Sequence, residues 1–372
     1  MADDDRDPEL AAHRDAIDKL DREILARLAE RARRAQAIGK LKEGSGAPAY
    51  RPEREARVLA RIAAENPGPL SDDAVALLFR QIMSACLALE RPITVAYLGP
   101  KGTFSESATF KHFGHAAVER HFGTFVDGVP ESSIDEVFRA AEAGRTDYAV
   151  VPVENSTEGA VGRTLDLMVA TDLAVVGEVK LRVQQNLLSR AASLADVKRV
   201  YSHAQSFAQC VQWLSRHLPA VPRVVAASNA EAAKLAAAEP GAAAIAGDIA
   251  GRIYALPVLA PHVEDEPNNT TRFWVLGRQQ VAASGRDETS LVMSTPNRPG
   301  AVHALLEPLA RHGVSMTRFE SRPARTGLWE YLFYIDVTGH RDDAPVAAAL
   351  AELGQRVPFL KLLGSYPAAR EP

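Results

Sequence analysis

Cysteine is nearly absent from this sequence: two in 372 residues, Cys86 and Cys210, far apart and in no CxxC pair. That excludes a disulfide framework and a cysteine-based zinc site, and makes the cytoplasm the expected location. No apolar run approaches the ~18–20 residues of a membrane span. The first residues, MADDDRDPEL, lack the basic start and apolar stretch of a signal peptide. Neither charge dominates: 43 Lys and Arg stand against 47 Asp and Glu, a net charge of −4. Such a chain has no global field for nucleic acid. There is also no internal repeat and no GxxxxGK phosphate loop. What remains is an ordinary globular composition, 47% hydrophobic and 24% charged. The length suits about two to three domains of roughly 150 residues each.

Punctuation at Arg91-Pro92 and in the polar stretch 283–288 divides the chain into 1–92, 93–283 and 288–367. The first part reads as all helix. Ile17, Leu20, Ile24, Leu28, Ala35, Ile38 and Leu41 form a helical stripe that ends at Gly44-Ser45-Gly46. Further helices are expected over 52–64 and 71–89, with Ser71 as N-cap and Asp72 and Asp73 in the first turn. Two short helices cannot cover so long a stripe, so an intertwined dimer with a second copy is expected. The middle part alternates buried strands (93–98, 148–153, 197–202, 242–246, 272–276) with helices such as 132–143, 204–216 and 229–238. This is the α/β pattern, here long enough for two lobes with a ligand cleft between them. The last part reads βαββαβ, a ferredoxin-like α+β unit.

Arg31 and Lys42 lie 11 residues apart on the first helix, so they share a face; Arg14 points about 100° away. Spacing alone allows a solvated edge or an anion site, to which Arg54, Glu55 and Glu90 could add. The surrounding text, Ala29-Glu30-Arg31, Gly39-Lys40-Leu41-Lys42, Tyr50-Arg51-Pro52-Glu53-Arg54-Glu55 and Ser84-Ala85-Cys86-Leu87-Ala88-Leu89-Glu90, resembles the all-helical chorismate mutases. The resemblance implies a domain-exchanged dimer that converts chorismate to prephenate. Arg31 and a partner-chain Arg14 would hold the two carboxylates, Lys42 and Glu90 would address the ether oxygen, and Arg54, Glu55 and Cys86 would complete the pocket. Glu55 would take the ring hydroxyl. Many relatives carry Gln at the position of Glu90 and an acidic residue at that of Arg51. A Glu donates to an ether oxygen only when protonated. Mutase activity is therefore expected to fall as pH rises through the pKa of Glu90, and Glu90→Gln to remove that dependence.

In the middle part four polar segments sit at strand ends: Gly99-Pro100-Lys101-Gly102-Thr103-Phe104-Ser105, Val153-Glu154-Asn155-Ser156-Thr157-Glu158-Gly159, Ser202-His203-Ala204-Gln205 and Asn268-Asn269-Thr270-Thr271-Arg272-Phe273. Each alone reads equally as a turn or helix cap; together they suit a cleft of hydroxyls and amides. They resemble the motifs of the prephenate dehydratases, with Ala204 where relatives usually have Pro. The implied reaction turns prephenate into phenylpyruvate, losing CO2 and the ring hydroxyl. Thr271 is the implied donor to the leaving hydroxyl. Thr103, Ser105, Asn155, Ser156, Thr157, Ser202, Gln205, Arg272 and Phe273 are the implied substrate contacts. Arg272 lies in a strand, and its side chain is open to facing outward.

In the last part Pro299-Gly300-Ala301-Val302 and Glu320-Ser321-Arg322-Pro323 read on spacing as a cap and a loop. With the βαββαβ pattern they resemble the phenylalanine-binding ACT domain of these dehydratases. Those residues, with Asn297, are the implied effector contacts. The whole chain thus resembles the bifunctional chorismate mutase/prephenate dehydratases, or P-proteins. That implies a cytoplasmic homodimer or higher oligomer acting on chorismate and prephenate under feedback by L-phenylalanine, with no cofactor and no metal, and no nucleic acid or membrane partner. Two rivals stay open: a dehydratase whose helical part is only a dimerisation arm, and a non-enzymatic amino-acid sensor. Arogenate as substrate is also undecided. Gly44-Ser45-Gly46-Ala47-Pro48-Ala49 fits GxGxxA but follows no strand, so no nucleotide site is expected. His262, Glu264, Asp265 and Glu266 are expected to be solvated loop groups.

Overall fold

The structure, a computed structural model, describes residues 8–42, 48, 50–89, 93–113, 126–295, 298–324 and 331–369. Glu90 and Asn297, both expected at sites, lie outside the described residues. The chain divides into two units. The first holds helix α1 (Pro8–Lys42), the end of α2 (Pro52–Glu65) and α3 (Asp72–Ala88); the second holds the start of α2, residues 94–113 and the chain from residue 127 on.

Helix α1 runs 35 residues, about 52 Å at 1.5 Å per residue. It packs on α3, yet no residue of α1 is buried. Most of its stripe stays exposed, from Ile38 at 43% to Leu41 at 82%, while Leu28 and Ala35 are half-buried. Pro52 opens α2, where its missing N–H costs nothing. Ser71 caps α3, its hydroxyl accepting from the Ala74 N–H at 3.3 Å.

The second unit begins with β1 (Ile93–Leu98), α4 (Phe104–Phe113), β2 (Val126–Glu131), α5 (Ile134–Glu142), β3 (Tyr148–Asn155), β4 (Gly159–Ala160), α6 (Gly162–Ala170) and β5 (Ala174–Arg182). The chain then builds a second lobe: β6 (Asn186–Ser189), β7 (Arg199–Ser202), α7 (Ala204–Ala208), α8 (Val211–His217), β8 (Arg223–Val225), α9 (Asn229–Ala238), β9 (Ala242–Ala246), α10 (Asp248–Ile253) and β10 (Val258–Ala260). It returns to the first lobe as β11 (Thr270–Gly277). The first sheet runs β2-β1-β3-β11-β5 with β4 against β3, the second β10-β6-β9-β7-β8. Strand β11 lies antiparallel between β3 and β5. The sequence reading did not find β5 or β6. The charged Glu178 and Lys180 break the apolar run of β5.

The expected helix over 204–216 is broken at Gln209-Cys210. Cys210 turns into the core, and α8 restarts with its first N–H groups donated to Asp265, from Gln212 at 2.9 Å and Trp213 at 3.0 Å. The neighbouring Glu264 is buried and accepts the Gln185 N–H at 2.9 Å. These loop carboxylates, expected to be solvated, are structural.

The last part forms β12 (Asp287–Thr295), α11 (Ala301–Arg311), β13 (Met316–Pro323), β14 (Tyr331–Thr338), α12 (Ala344–Arg356) and β15 (Phe359–Pro367), with sheet order β13-β14-β12-β15. Period-two burial splits this sheet between two cores. Leu291, Met293, Phe333 and Ile335 face α11 and α12. Val292, Tyr334, Leu363 and Tyr366 face the first lobe and share a core with Val151, Val153, Leu165, Met168 and Trp274. The third part is therefore fused to the first lobe by a common apolar layer.

Candidate functional site

The first lobe presents one polar focus at the adjoining ends of β3 and β11. Antiparallel register sets Thr271 opposite Asn155. The Asn155 amide accepts with Oδ1 from the N–H groups of Thr157 at 3.1 Å and Glu158 at 3.2 Å. Backbone N–H groups only donate, so the amide orientation is fixed. Nδ2 must face the other way, and it donates to Thr271 Oγ1 at 2.9 Å and Asn269 Oδ1 at 2.8 Å. Thr271 is half-buried, and its hydroxyl oxygen is already an acceptor, which leaves its proton to be donated. The same chain of reasoning fixes Asn269, whose buried Nδ2 has no hydrogen-bond partner among the described residues. A buried donor beside Thr271 suits an acceptor oxygen of a bound molecule. Asn269 lies in the Asn268–Phe273 motif but is not among the contacts expected from the sequence.

The other expected contacts divide. Ser156 and Thr270 bond reciprocally and close the strand end, at 2.9 and 3.0 Å. The Thr157 hydroxyl donates to Asn155 Oδ1 at 2.7 Å. Thr103 caps α4, with its hydroxyl accepting from the Glu106 N–H at 3.4 Å. Glu106 answers it: one carboxylate oxygen accepts the Gly102 N–H at 2.6 Å, the other the Tyr97 hydroxyl at 2.8 Å. Thr-x-x-Glu is a capping-box pattern that the sequence already displayed. Gly102 has φ +94°, and a Cβ there would stand 3.2 Å from Ala230 Cβ of the second lobe, so the loop 99–103 approaches that lobe closely. Ser105 is buried and Gln205 exposed.

Three expectations are corrected. Ser202 is fully buried, and its hydroxyl serves Ile245 O and Asn229 Oδ1 within the second lobe, so it frames the cleft without lining it. Phe273 is a core residue at 2% exposed. Arg272 points to the opposite face of the sheet from Thr271, as alternation requires. Its guanidinium holds Glu178 at 2.7 Å, Glu288 at 2.9 Å, the Tyr366 hydroxyl at 3.0 Å, and Asp336. Burial opposes its charge, but the surrounding Asp336, Glu178 and Glu288 outweigh burial and raise its pKa. The site also has an inter-lobe tie that the sequence did not reveal: Gln209 Nε2 donates to Glu158 Oε1 at 3.0 Å.

In the helical unit Arg31 is half-buried and reaches the Ile82 carbonyl of α3 at 3.5 Å. Cys86 is buried, Arg14 exposed and Lys42 half-buried. Arg54 and Glu55 sit in the first turn of α2, where Arg51 pairs with the buried Glu53 at 2.8 Å. In the C-terminal sheet Gly300, with φ +77°, precedes α11; Pro299 and Gly300 are exposed, Ala301 is buried and Val302 is 40% exposed. Glu320, Ser321 and Pro323 end β13. Arg322, expected at an effector, pairs with Asp166 of α6 at 3.1 Å.

Three family patterns match the chain: chorismate mutase type II over residues 13–91, prephenate dehydratase over 95–281 and the ACT domain over 289–355. A bifunctional chorismate mutase/prephenate dehydratase of Neisseria gonorrhoeae is 55% identical over 97% of this chain and 97% of its own. One from Pseudomonas aeruginosa is 48% identical over 99% of this chain and 100% of its own. Among solved structures, the prephenate dehydratase of Arthrobacter aurescens in complex with L-Phe is 34% identical, with TM-score 0.66, over 74% of this chain and 90% of that one.

Proposed function

The chain belongs to the bifunctional chorismate mutase/prephenate dehydratase family, and from that premise we propose how its residues divide the work. Residues 1–92 carry the mutase, 93–283 the dehydratase and 288–367 the regulatory domain. The first reaction is a unimolecular rearrangement, so the levers are restriction of the substrate and charge at the breaking C–O bond. Arg31, with Arg14 of a second copy, holds the carboxylates. Lys42 and Glu90 serve the ether oxygen, and Arg54, Glu55 and Cys86 complete the pocket. The largely exposed stripe of α1 supports a dimer through this helix. Association of such a stripe with a second copy removes the exposed apolar surface.

In the second reaction the carboxylate leaves as CO2. The electron pair of the broken C–C bond enters the ring, and the ring C–O bond breaks. Thr271 donates its proton to the departing hydroxide, forming water, and regains a proton from solvent. A threonine hydroxyl is a weak acid. The Asn155 N–H that it accepts stabilises negative charge developing on Oγ1. The Asn269 Nδ2 donor is suited to a substrate oxygen. The carrying observation is this fixed amide orientation, which makes Thr271 Oγ1 an acceptor toward Asn155 and leaves its hydroxyl with a proton to donate. The ACT domain binds L-phenylalanine through the Asn297–Val302 and Glu320–Pro323 segments, and the enzyme works in the cytoplasm.

Replacing Thr271 by Val keeps the volume and removes the donor. Phenylpyruvate formation from prephenate is expected to fall by about 10²–10⁴ while chorismate consumption stays within about twofold of wild type. Dehydratase turnover close to wild type in Thr271→Val would remove Thr271 from this role.

A further inference from the structure

Behind the Asn155–Thr271 pair, one residue along each strand, lies a second pair facing the other way. Glu154 of β3 stands opposite Arg272 of β11, and a bulge follows immediately, where the register shifts between Arg272 and Phe273. Bulges re-aim side chains and are enriched beside active sites. The C-terminal sheet meets this pair with one of its own: Arg318 of β13 stands opposite Asp336 of β14. The two pairs engage crosswise. Arg318 Nε lies 3.0 Å from Glu154 Oε2, and Arg272 holds Asp336. Four charges of alternating sign thus join the strand ends that carry Asn155 and Thr271 to the C-terminal sheet.

We propose that Arg318 is a positioning residue for the dehydratase reaction, acting through Glu154 on the strand pair that presents Asn155 and Thr271. This rests on the assignment of those two residues made above. Arg318 touches no reacting atom. Its side chain is 6% exposed, and none of its three guanidinium nitrogens has a hydrogen-bond partner among the described residues, so Glu154 is held by charge alone. A buried cation so poorly satisfied is a weak choice for stability alone, where an apolar side chain of the same volume does as well or better. What it does accomplish is orientation. It draws Glu154 toward the C-terminal sheet and so fixes the facing of the next residue, Asn155. The Nδ2 to Thr271 Oγ1 bond depends on that facing. The link also gives the regulatory sheet a grip on the catalytic pair, since β13 is the strand that ends in Glu320–Pro323.

The test uses the full-length chain, with chorismate consumption on the same preparations as an internal control. Arg318→Met is expected to lower dehydratase kcat at least about tenfold with KM nearly unchanged, because a misplaced group impairs the chemical step more than binding. Arg318→Lys, which keeps the cation, is expected to recover most of kcat. If stranding Glu154 prevents Arg318→Met from folding, the double variant Arg318→Met/Glu154→Met removes both charges together. It is expected to fold, keep wild-type mutase activity and still show the low kcat. A wild-type kcat in either folded variant overturns the proposal, as does a loss confined to KM. Thr271→Val is measured alongside. If it abolishes turnover while the Arg318 variants are unaffected, only the positioning role falls. If Thr271→Val turns over normally, the assignment beneath it falls, and the positioning role with it.

Discussion

The two units differ in what they complete within one chain. In the second unit, the proposed catalytic hydroxyl of Thr271, the amide that orients it and the charges behind them come from strands of the same sheet, and the C-terminal sheet closes the far side with a shared core. In the first, α1 holds its cations beside a stripe that the described residues of its unit leave largely exposed. The contrast supports the proposal of a dehydratase made from one chain and a mutase that needs two. It predicts that the two activities can be separated by attacking association. Ile24→Asp places a charge in the middle of the stripe, at a residue 55% exposed in the single chain. The mass measured by light scattering is expected to drop toward the monomer, and mutase activity to fall by at least about a hundredfold, since a charge at a packed interface is left unpaired. Dehydratase activity is expected to change far less. An unchanged mass with normal mutase activity would place the dimer contact elsewhere.

The comparison sharpens at Arg272. This one guanidinium, with a side chain 12% exposed, pairs with three carboxyl groups drawn from the dehydratase sheet and the C-terminal sheet. Arg272→Met leaves Glu178, Glu288 and Asp336 facing one another. Removing one partner of a buried charge cluster costs about 3–5 kcal/mol. Urea unfolding followed by the fluorescence of the fully buried Trp274 is expected to show a loss of that size. A loss below about 1 kcal/mol would mean that the apolar layer alone holds the sheets together.

How much of this was legible in the sequence follows from distance along the chain. The helical stripe, the strands at 93–98 and 242–246, the capping of α3 by Ser71 and the alternation along 331–337 are local patterns, and each is found in the structure. Thr271 and Asn155 were recognised as polar residues at strand ends. The misassigned residues are those whose partners lie far away. Arg272 and Phe273 follow Thr271 in the motif, but pleating sends Arg272 to the opposite face, and Phe273 lies in the core. Ser202 is buried because β7 is central in its sheet. Strand β5 was missed because Glu178 looks like a surface charge until Arg272, 94 residues later, is placed beside it. Nothing near Arg318 in sequence marks it, since its partner is Glu154.

The smallest effect predicted is a pH dependence of stability in the fused unit. Three carboxylates around one guanidinium are too many. Burial, the nearby Glu178 and Asp336 push the Glu288 carboxyl up to about 7, against the opposing pull of Arg272 and Lys180. Tyr366, whose pKa burial raises well above normal, stays neutral and donates no charge to the balance. Between its ordinary 4.5 and about 7, Glu288 therefore holds a proton in the folded chain that the unfolded chain has released. Stability from this group is complete below the lower value and is lost as pH rises through the upper one. Unfolding free energy is expected to decline from pH 5.5 to 8 in the wild type. Glu288→Gln keeps a neutral donor and acceptor at that position without the titration, so its decline is expected to be shallower. Parallel pH profiles for the two proteins would show that Glu288 is ionised throughout, and that Arg272 carries all three carboxylates as anions.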